Sequence, residues 1–174
     1  ANICTCMADI FRYSIKGSDY VSLEQEIDIV RKYLYITSIR FQNKITYDIQ
    51  VDNKYNDTKI PKMILQPLVE NAIFHGLEPL DTKGHVSIFA YDENSQLYIV
   101  IKDNGVGIPT EKLKEIKHQL DGEQSKISFS DTNQNLAILN IHNKIRLYTS
   151  AEYGLSIESS NNGTTVTIKL PLIL

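Results

Sequence analysis

The N-terminal part of the chain has apolar residues at helical spacing. A first helix that ends at Gly17 is predicted by five of them: Ile3, Met7, Ile10, Phe11 and Ile15. A second helix is expected after Ser22, which can cap its first turn, and its apolar stripe consists of Leu23, Ile27, Val30, Leu34 and Phe41. Amphipathic helices need a surface to pack on. The two helices therefore either lie against the domain that follows, or the first is the end of a longer dimerising hairpin.

From residue 45 onwards, the pattern changes to alternating strands and helices. Strands are predicted at residues 45–51, 86–91, 97–102, 155–158 and 164–170, with turns at 92–95 and 160–163. Helices are predicted at residues 61–76, after Pro109, and at residues 133–148. The polar segment 121–131 is a candidate mobile lid. We expect a helical segment over residues 1–44, followed by a mixed-sheet α/β domain over residues 45–174.

Composition excludes some classes of partner. The chain has 174 residues, of which 42% are hydrophobic, and this is enough for one sizeable core. A net charge of -3 gives no support for binding nucleic acid or an anionic membrane surface. No apolar run reaches a membrane-spanning length, and the chain begins at Ala1 without a signal-peptide pattern, so we expect an intracellular piece. Cys4 and Cys6 point to different faces of the first helix and are expected to be reduced thiols.

Three separated segments carry residues from which a nucleotide site can be built. Asn71 lies inside a predicted helix, and its amide oxygen suits magnesium, although a helical asparagine often satisfies a backbone group instead. Asp103 follows an apolar strand, where its carboxylate can accept a hydrogen bond from the amine of adenine. Gly105 and Gly107 let a flat ring approach the backbone, or else form an ordinary turn. Thr164 can add a hydroxyl near the same base.

Taken together, these segments resemble the nucleotide-binding boxes of the LytS/YesM-type sensor histidine kinases, which have the Bergerat ATP-binding fold. Residues 65–76 (LQPLVENAIFHG) look like the N box, residues 103–108 (DNGVGI) like the first glycine box, and residues 162–164 (NGT) like the final box. Upstream segments resemble the linker between the dimerisation helices and the ATPase domain of that class: residues 11–14, 23–26, 33–34 and 39–41. The resemblance covers nearly the whole chain.

The resemblance implies a two-layer α/β sandwich, in which helices cover one face of a mixed sheet, and it implies binding of ATP with Mg²⁺. Asn71 would bind the magnesium ion and Asp103 the adenine amine. Further nucleotide contacts would come from His75, Gly105, Gly107, Asn140 and Thr164. Glu70 is a candidate catalytic residue. For His75 there is a second explanation, since a histidine near a helix end interacts favourably with the helix dipole.

The chain departs from the family pattern at two places. Phe74 stands where the family usually has a lysine that neutralises phosphate. The second glycine box, at residues 135–140, has Asn135 and Ala137 in place of both glycines. The added Cβ atoms lie where phosphates approach backbone N–H groups, so we expect weaker triphosphate binding than in a standard member.

The resemblance implies the catalytic, ATP-binding part of a two-component sensor kinase. None of His85, His118 and His142 has the flanking residues of the family's phosphoacceptor, so the acceptor is expected on a helix upstream of Ala1. The implied partners are the dimerisation and sensor regions of the same homodimeric receptor and a cognate response regulator. This piece would then be a cytoplasmic domain of a bacterial membrane-bound receptor, without direct membrane contact of its own.

Two other functions stay open. The departures at Phe74, Asn135 and Ala137 favour a degenerate module that binds nucleotide poorly and acts through protein contacts. An ATP-hydrolysing enzyme of the chaperone, topoisomerase or mismatch-repair kind is disfavoured. Those enzymes place a glutamate four residues before the magnesium asparagine to activate water, and Pro67 occupies that position.

Overall fold

The computed structural model describes residues 2–15, 17–122 and 133–172. In chain order the elements are α1 (Ile3–Ile15), β1 (Tyr20–Ser22), α2 (Leu23–Arg40), β2 (Ile45–Gln50), β3 (Lys59–Pro61), α3 (Leu65–Asn71), β4 (Gly84–Glu93), β5 (Gln96–Asp103), α4 (Thr110–Leu120), α5 (Asn133–Tyr148), β6 (Gly154–Ser160) and β7 (Gly163–Pro171). A short 3₁₀ turn (Asn53–Tyr55) follows β2, and a π-helical turn (Ala72–Leu77) continues α3. Of the candidate lid, only its first two residues, 121 and 122, lie within the described ranges.

Five strands form a mixed sheet in the order β2-β4-β5-β7-β6. The β2 and β4 strands run parallel, and the other neighbours are antiparallel. The hairpin predicted between residues 86 and 102 is confirmed, but its strands extend further and leave a two-residue turn. Asn94 and Ser95 form this turn with φ angles of 51° and 60°, the combination that matches the twist of paired strands. The last two strands are also confirmed as an antiparallel pair.

Helices pack on one face of the sheet and enclose a single core. Alternate residues of the central strands point into it, among them Val86, Ile88, Ile99, Ile101, Val166 and Ile168. The same core contains residues of α3 and α5, such as Leu65, Leu68, Ile141 and Ile145. The predicted sandwich of a mixed sheet with helices on one face is therefore confirmed.

The second helix belongs to this core, whereas much of the first does not. Ser22 caps α2 as predicted, since its hydroxyl accepts a hydrogen bond from the Gln25 amide (3.3 Å) and the Gln25 side chain accepts one from the Ser22 amide (3.0 Å). The α2 stripe is buried in the core at Leu23, Ile27, Val30 and Leu34. On α1, by contrast, three large apolar side chains are exposed: Met7, Phe11 and Ile15. The apolar stripe of α2 is thus largely covered by the domain that follows, whereas that of α1 is not.

The helix predicted to begin at Pro61 begins later. Pro61 ends β3, which pairs antiparallel with β1, and α3 starts at Leu65. Between them Met63 has a φ of 58°, so the backbone turns sharply there. The prediction was wrong because proline fits both the edge of a sheet and the first turn of a helix.

The helices in residues 2–15, 17–122 and 133–172 include none that is both long enough and apolar enough to cross a lipid bilayer.

Candidate nucleotide-binding site

The three segments singled out in the sequence meet at one cavity, bounded by α3, the end of β5 and the start of β7. Five of the predicted site residues line it: Asn71, His75, Asp103, Gly107 and Thr164. The other walls are apolar and come from Leu68, Ala72, Ile101, Ile108, Ile138 and Val166. An apolar recess with a few convergent polar groups is typical of a small-molecule site.

Asp103 is the buried acid of this cavity, with only 5% of its surface exposed. Its Oδ1 atom accepts hydrogen bonds from the amides of Gly105 (2.8 Å) and Thr164 (3.2 Å). No residue in the described ranges donates to its Oδ2 atom. Burial raises the pKa of the Asp103 carboxyl, and the two backbone hydrogen bonds oppose that rise. Within the described residues, one oxygen is thus held by two backbone amides and the other has no donor.

The glycines around Asp103 bring backbone segments into contact. A Cβ atom on Gly105 would lie 2.4 Å from the carbonyl oxygen of Gly76, and one on Gly107 would lie 1.9 Å from the carbonyl oxygen of Ser160. Gly107 also has a φ of 74°. Gly107 lines the cavity, but Gly105 lies behind Asp103 and packs on Gly76. At both positions the missing Cβ atom admits the protein's own backbone, in keeping with the turn alternative, and the approach of a flat ring to Gly107 stays a prediction.

Asn71 is the last residue of α3 and is half-buried at the cavity. Its Nδ2 atom is buried and has no hydrogen-bond partner in the part of the chain that the structure describes. Buried amide groups normally have hydrogen-bond partners, so the fold does not use both polar atoms of this side chain. One amide oxygen fits a magnesium ion whose other ligands are phosphate oxygens and water. The described residues contain no group of three or more His, Cys, Asp or Glu that could hold a metal by itself.

The π-helical turn directly after Asn71 was not predicted. The amide of Glu78 donates to the carbonyl of Ile73 (2.8 Å), five residues earlier, and the turn carries His75 and Gly76 into the cavity wall. Such turns are rare and often occur at functional sites. The sequence of this segment gives no distinct signal for one, because its residues suit an ordinary helix equally well.

A groove of about 510 Å³ adjoins the cavity and shares His75, Gly107 and Ile108 with it. Its outer wall contains Lys112 of α4. Burial, followed by the charge of Lys112, lowers the pKa of His75. The inner recess is much smaller, about 30 Å³, which is room for roughly two waters. The recess is therefore narrower than the groove that it joins.

Ser159 is a site residue that the sequence analysis missed. Its hydroxyl lies 2.9 Å from the Thr164 hydroxyl and accepts a hydrogen bond from the Ile108 amide (2.9 Å). It therefore joins the first glycine box to the final box. Its place on β6, opposite Thr164 of β7, follows from strand register, which a single sequence does not specify.

Three residues weighed in the sequence analysis lie outside the cavity. The Glu70 carboxylate accepts a hydrogen bond from the Gln66 side chain (2.8 Å). The pKa of Tyr33 on α2 is raised to about 12, first by burial of its hydroxyl and then by the negative charge of Glu70. Glu70 thus faces α2 and is not positioned for chemistry in the cavity. Asn140 is exposed on α5. Phe74 is exposed as well, and its ring centroid lies 5.6 Å from the guanidinium of Arg40.

The chain matches known proteins over most of its length. The family model described as "Histidine kinase-, DNA gyrase B-, and HSP90-like ATPase" matches residues 56–174, and the model "Histidine kinase" matches residues 1–45. The chain is 32% identical over 154 residues to the sensor histidine kinase YesM of Bacillus subtilis, covering 88% of this chain and 24% of YesM. It is 30% identical over 170 residues to the sensor protein kinase HptS of Staphylococcus aureus, covering 95% of this chain and 31% of HptS.

Among solved structures, the catalytic domain of the histidine kinase ThkA superposes with a TM-score of 0.61 at 18% identity, over 90% of this chain and 96% of that domain. ThkA in complex with the response regulator protein TrrA gives 0.56 at 19% identity, over 98% of this chain and 47% of that chain. These likenesses support the fold. The chain spans about a quarter to a third of the length of YesM and HptS. The resemblance to LytS/YesM-type kinases is confirmed, and the chain belongs to the histidine kinase-, DNA gyrase B- and HSP90-like ATPase family.

Proposed function

We propose that the chain is the catalytic, ATP-binding part of a sensor histidine kinase. It would hold ATP with Mg²⁺ so that the γ-phosphate can be transferred to a histidine upstream of Ala1. The observation that carries this proposal is the arrangement at Asp103, where two backbone amides hold one carboxylate oxygen and no donor among the described residues reaches the other, at an apolar recess.

The free oxygen of Asp103 would select the base. Adenine presents an amine donor where guanine presents a carbonyl oxygen, so a carboxylate accepts from adenine and repels guanine. The apolar side chains of Leu68, Ile101 and Val166 would contact the ring. Thr164, whose hydroxyl Ser159 holds in place, would contribute a second polar contact to the base.

The adjoining groove would take the ribose and phosphates. His75 and Lys112 flank it, and Asn71 lies where its amide oxygen would hold a magnesium ion against the phosphate tail. When bound, that ion would supply charge neutralisation on the phosphate oxygens. Phe74 carries no charge, so the charge that the family usually has there would have to come from another residue, and Lys112, which lines the groove, is a candidate.

The protein's part in the transfer would be to orient the triphosphate. Pro67 cannot act as a base, and the Glu70 carboxylate is engaged with Gln66, so neither activates a water. Phosphoryl transfer needs mainly positioning and charge stabilisation once the nucleophile is supplied. The nucleophile would be the histidine of an upstream helix in the same homodimeric receptor, and a response regulator would then receive the phosphate. We place this domain on the cytoplasmic side of a membrane-bound bacterial receptor.

Titration of the 174-residue chain with ATP, GTP and adenosine, each with and without Mg²⁺, tests this function. We expect saturable ATP binding that Mg²⁺ strengthens, much weaker GTP binding, and loss of ATP binding by about tenfold or more in Asp103→Asn, as for a buried hydrogen bond to a charged group. Asp81→Asn, at an exposed loop position, is the matched control and should bind as the unsubstituted chain does.

The narrow inner recess favours one alternative, the degenerate module that acts through protein contacts. Absence of ATP binding up to millimolar concentration, with the chain folded, would support that alternative and contradict the kinase proposal.

A further inference from the structure

The helix that carries Asn71 takes its N-terminal cap from another helix. Ile64, at the start of α3, provides no side-chain cap. The carboxylate of Glu26 on α2 does this instead, accepting hydrogen bonds from the amides of Met63 (2.7 Å), Ile64 (3.1 Å) and Leu65 (3.1 Å). Glu26 is only 1% exposed. A carboxylate in this position satisfies orphan amides and complements the helix dipole, so it fixes where α3 begins.

The same carboxylate is bound from the other side by α1. The hydroxyl of Tyr13 donates a hydrogen bond to Oε1 of Glu26, the oxygen that also accepts from Met63. Burial, together with the hydrogen bond to Glu26 and its charge, raises the pKa of Tyr13, so the hydroxyl keeps its proton at neutral pH. The ammonium of Lys62 lies 4.8 Å from the Tyr13 ring centroid. A displacement of α1 therefore acts on the group that caps α3.

From the cap to the cavity the connection is short and stiff. The α3 helix has 7 residues, a rise of about 10 Å, and its Leu65 and Leu68 are fully buried. Asn71 is its last residue. A close-packed interior has low compressibility and transmits strain. A shift at residues 63–65 is thus passed on to Asn71.

The junction at residues 62–64 also holds α5. The Lys144 ammonium donates to the carbonyl oxygen of Lys62 (2.6 Å), and Ile138 of the same helix lines the cavity. Two walls of the cavity, α3 and α5, are therefore attached to one junction that Glu26 and Tyr13 hold.

We propose that Glu26 is a positioning residue of the nucleotide site, which sets the place of Asn71, and that Tyr13 makes this placement depend on α1. The inference rests on the proposed function, because it assumes that Asn71 holds the magnesium ion of bound ATP. It assigns no chemical step to Glu26, which lies at the opposite end of α3 from the cavity.

The test is the ratio of ATP affinities of the 174-residue chain in Mg²⁺ and in excess EDTA. Glu26→Gln keeps the size of the side chain but removes its charge and replaces one of its two acceptor oxygens by an NH₂ donor, and Tyr13→Phe removes only the hydrogen bond from α1. We expect the affinity in EDTA, which depends mainly on Asp103, to fall less than the affinity in Mg²⁺. The affinity gained from Mg²⁺ should fall by about tenfold in Glu26→Gln and by about threefold in Tyr13→Phe, in line with the worth of charged and neutral hydrogen bonds.

Asp28→Asn is the matched control, because Asp28 is also an acid of α2 but forms an exposed ion pair with Lys32 (2.7 Å). It should leave the ratio unchanged. Folding of each variant is checked by circular dichroism, and if Glu26→Gln does not fold, Tyr13→Phe alone decides.

Three results would overturn the inference. An equal loss of affinity in Mg²⁺ and in EDTA would give Glu26 a purely structural role. If the ratio stays unchanged in folded Glu26→Gln, Glu26 does not position Asn71. If it stays unchanged in folded Tyr13→Phe, the placement of Asn71 does not depend on α1. If the unsubstituted chain itself gains nothing from Mg²⁺, the proposed function fails first and this inference with it.

Discussion

The Oδ1 atom of Asp103 lies 3.2 Å from the amide nitrogen of Thr164, which joins the last residue of β5 to the start of β7. The two residues are 61 positions apart in the chain. Because Gly105 donates to the same oxygen, the carboxylate has a fixed orientation before any ligand arrives. Sites that are pre-organised in this way bind with a smaller entropic cost.

The buried, charged carboxylate of Asp103 should lower the stability of the fold, although it serves the binding of a ligand. Burial raises the pKa of its carboxyl, so the charged form is less favourable in the folded than in the unfolded chain. The stability linked to its protonation is present at low pH and is lost as pH rises through the raised pKa. We therefore expect Asp103→Asn to unfold at a higher urea concentration than the unsubstituted chain at pH 7.

Urea titrations at pH 7 and at pH 4 measure this effect, and the advantage of Asp103→Asn should shrink at the lower pH. Equal or lower stability of Asp103→Asn at pH 7 would show that the two backbone hydrogen bonds outweigh the burial of the charge.

The contact between Gly105 and Gly76 predicts a cost for any side chain at position 105. A Cβ atom there would lie 2.4 Å from backbone atoms that cannot rotate away. We expect Gly105→Ala to lower the free energy of unfolding by about 1–3 kcal/mol. Gly122→Ala is the control, since its Cβ would have no neighbour within 4 Å among the described residues and its positive φ opposes the change. A smaller loss at position 105 than at position 122 would contradict the packing account.

Lys112 should contribute to the binding of phosphates but not of the base. It lines the groove beside His75, and an exposed charge interaction of this kind is worth up to about 1 kcal/mol. We expect Lys112→Met to weaken ATP binding by about threefold to fivefold at low salt, and less at high salt. Calorimetric titrations with ATP and adenosine measure the difference.

Adenosine binding should not change in Lys112→Met. Lys114→Met on the same helix removes a lysine that pairs with Glu111 (3.2 Å) and should change neither ligand. An equal effect of the two lysine variants would assign the loss to net charge and not to the groove.

Buried His142 should make the fold sensitive to mild acid. Its Nδ1 atom accepts a hydrogen bond from the Leu155 amide (3.0 Å), and burial, followed by the charge of Arg146, lowers its pKa below the ordinary 6.5. The unfolded chain thus binds a proton more readily than the folded one. Stability is complete above pH 6.5 and is lost as pH falls through the lowered value.

Thermal unfolding between pH 8 and pH 5 should show this loss, and His142→Gln should flatten the profile. The control is His118→Gln, which replaces an exposed histidine of α4. His75, whose pKa is also lowered, remains in both variants. A profile with the same slope in His142→Gln would assign the acid sensitivity to other groups.

Features set by local residue pattern were predictable from the sequence. The cap at Ser22, the hairpin turn at Asn94 and Ser95, and the helix that begins at Thr110 each depend on residues within a few positions of one another. The meeting of Asn71, Asp103 and Thr164 in one cavity came from the family resemblance and not from local pattern.

Features that depend on distant partners were missed. The β1 and β3 strands each have 3 residues, too few to show an alternating pattern, and they are recognised only because they pair with each other. Glu26 caps a helix whose first residue, Leu65, is 39 positions away. The π-helical turn depends on packing around residues 72–77 and not on their helix propensities.

The position of β7 has a consequence for synthesis of the chain. This strand comes last in sequence, yet it lies between β5 and β6 in the sheet. Until it is inserted, β5 has an open edge that can pair with another molecule, and Thr164 is absent from the cavity. Pairing between distant strands is slow, so we expect a ribosome-bound or truncated chain without β7 to be prone to aggregation.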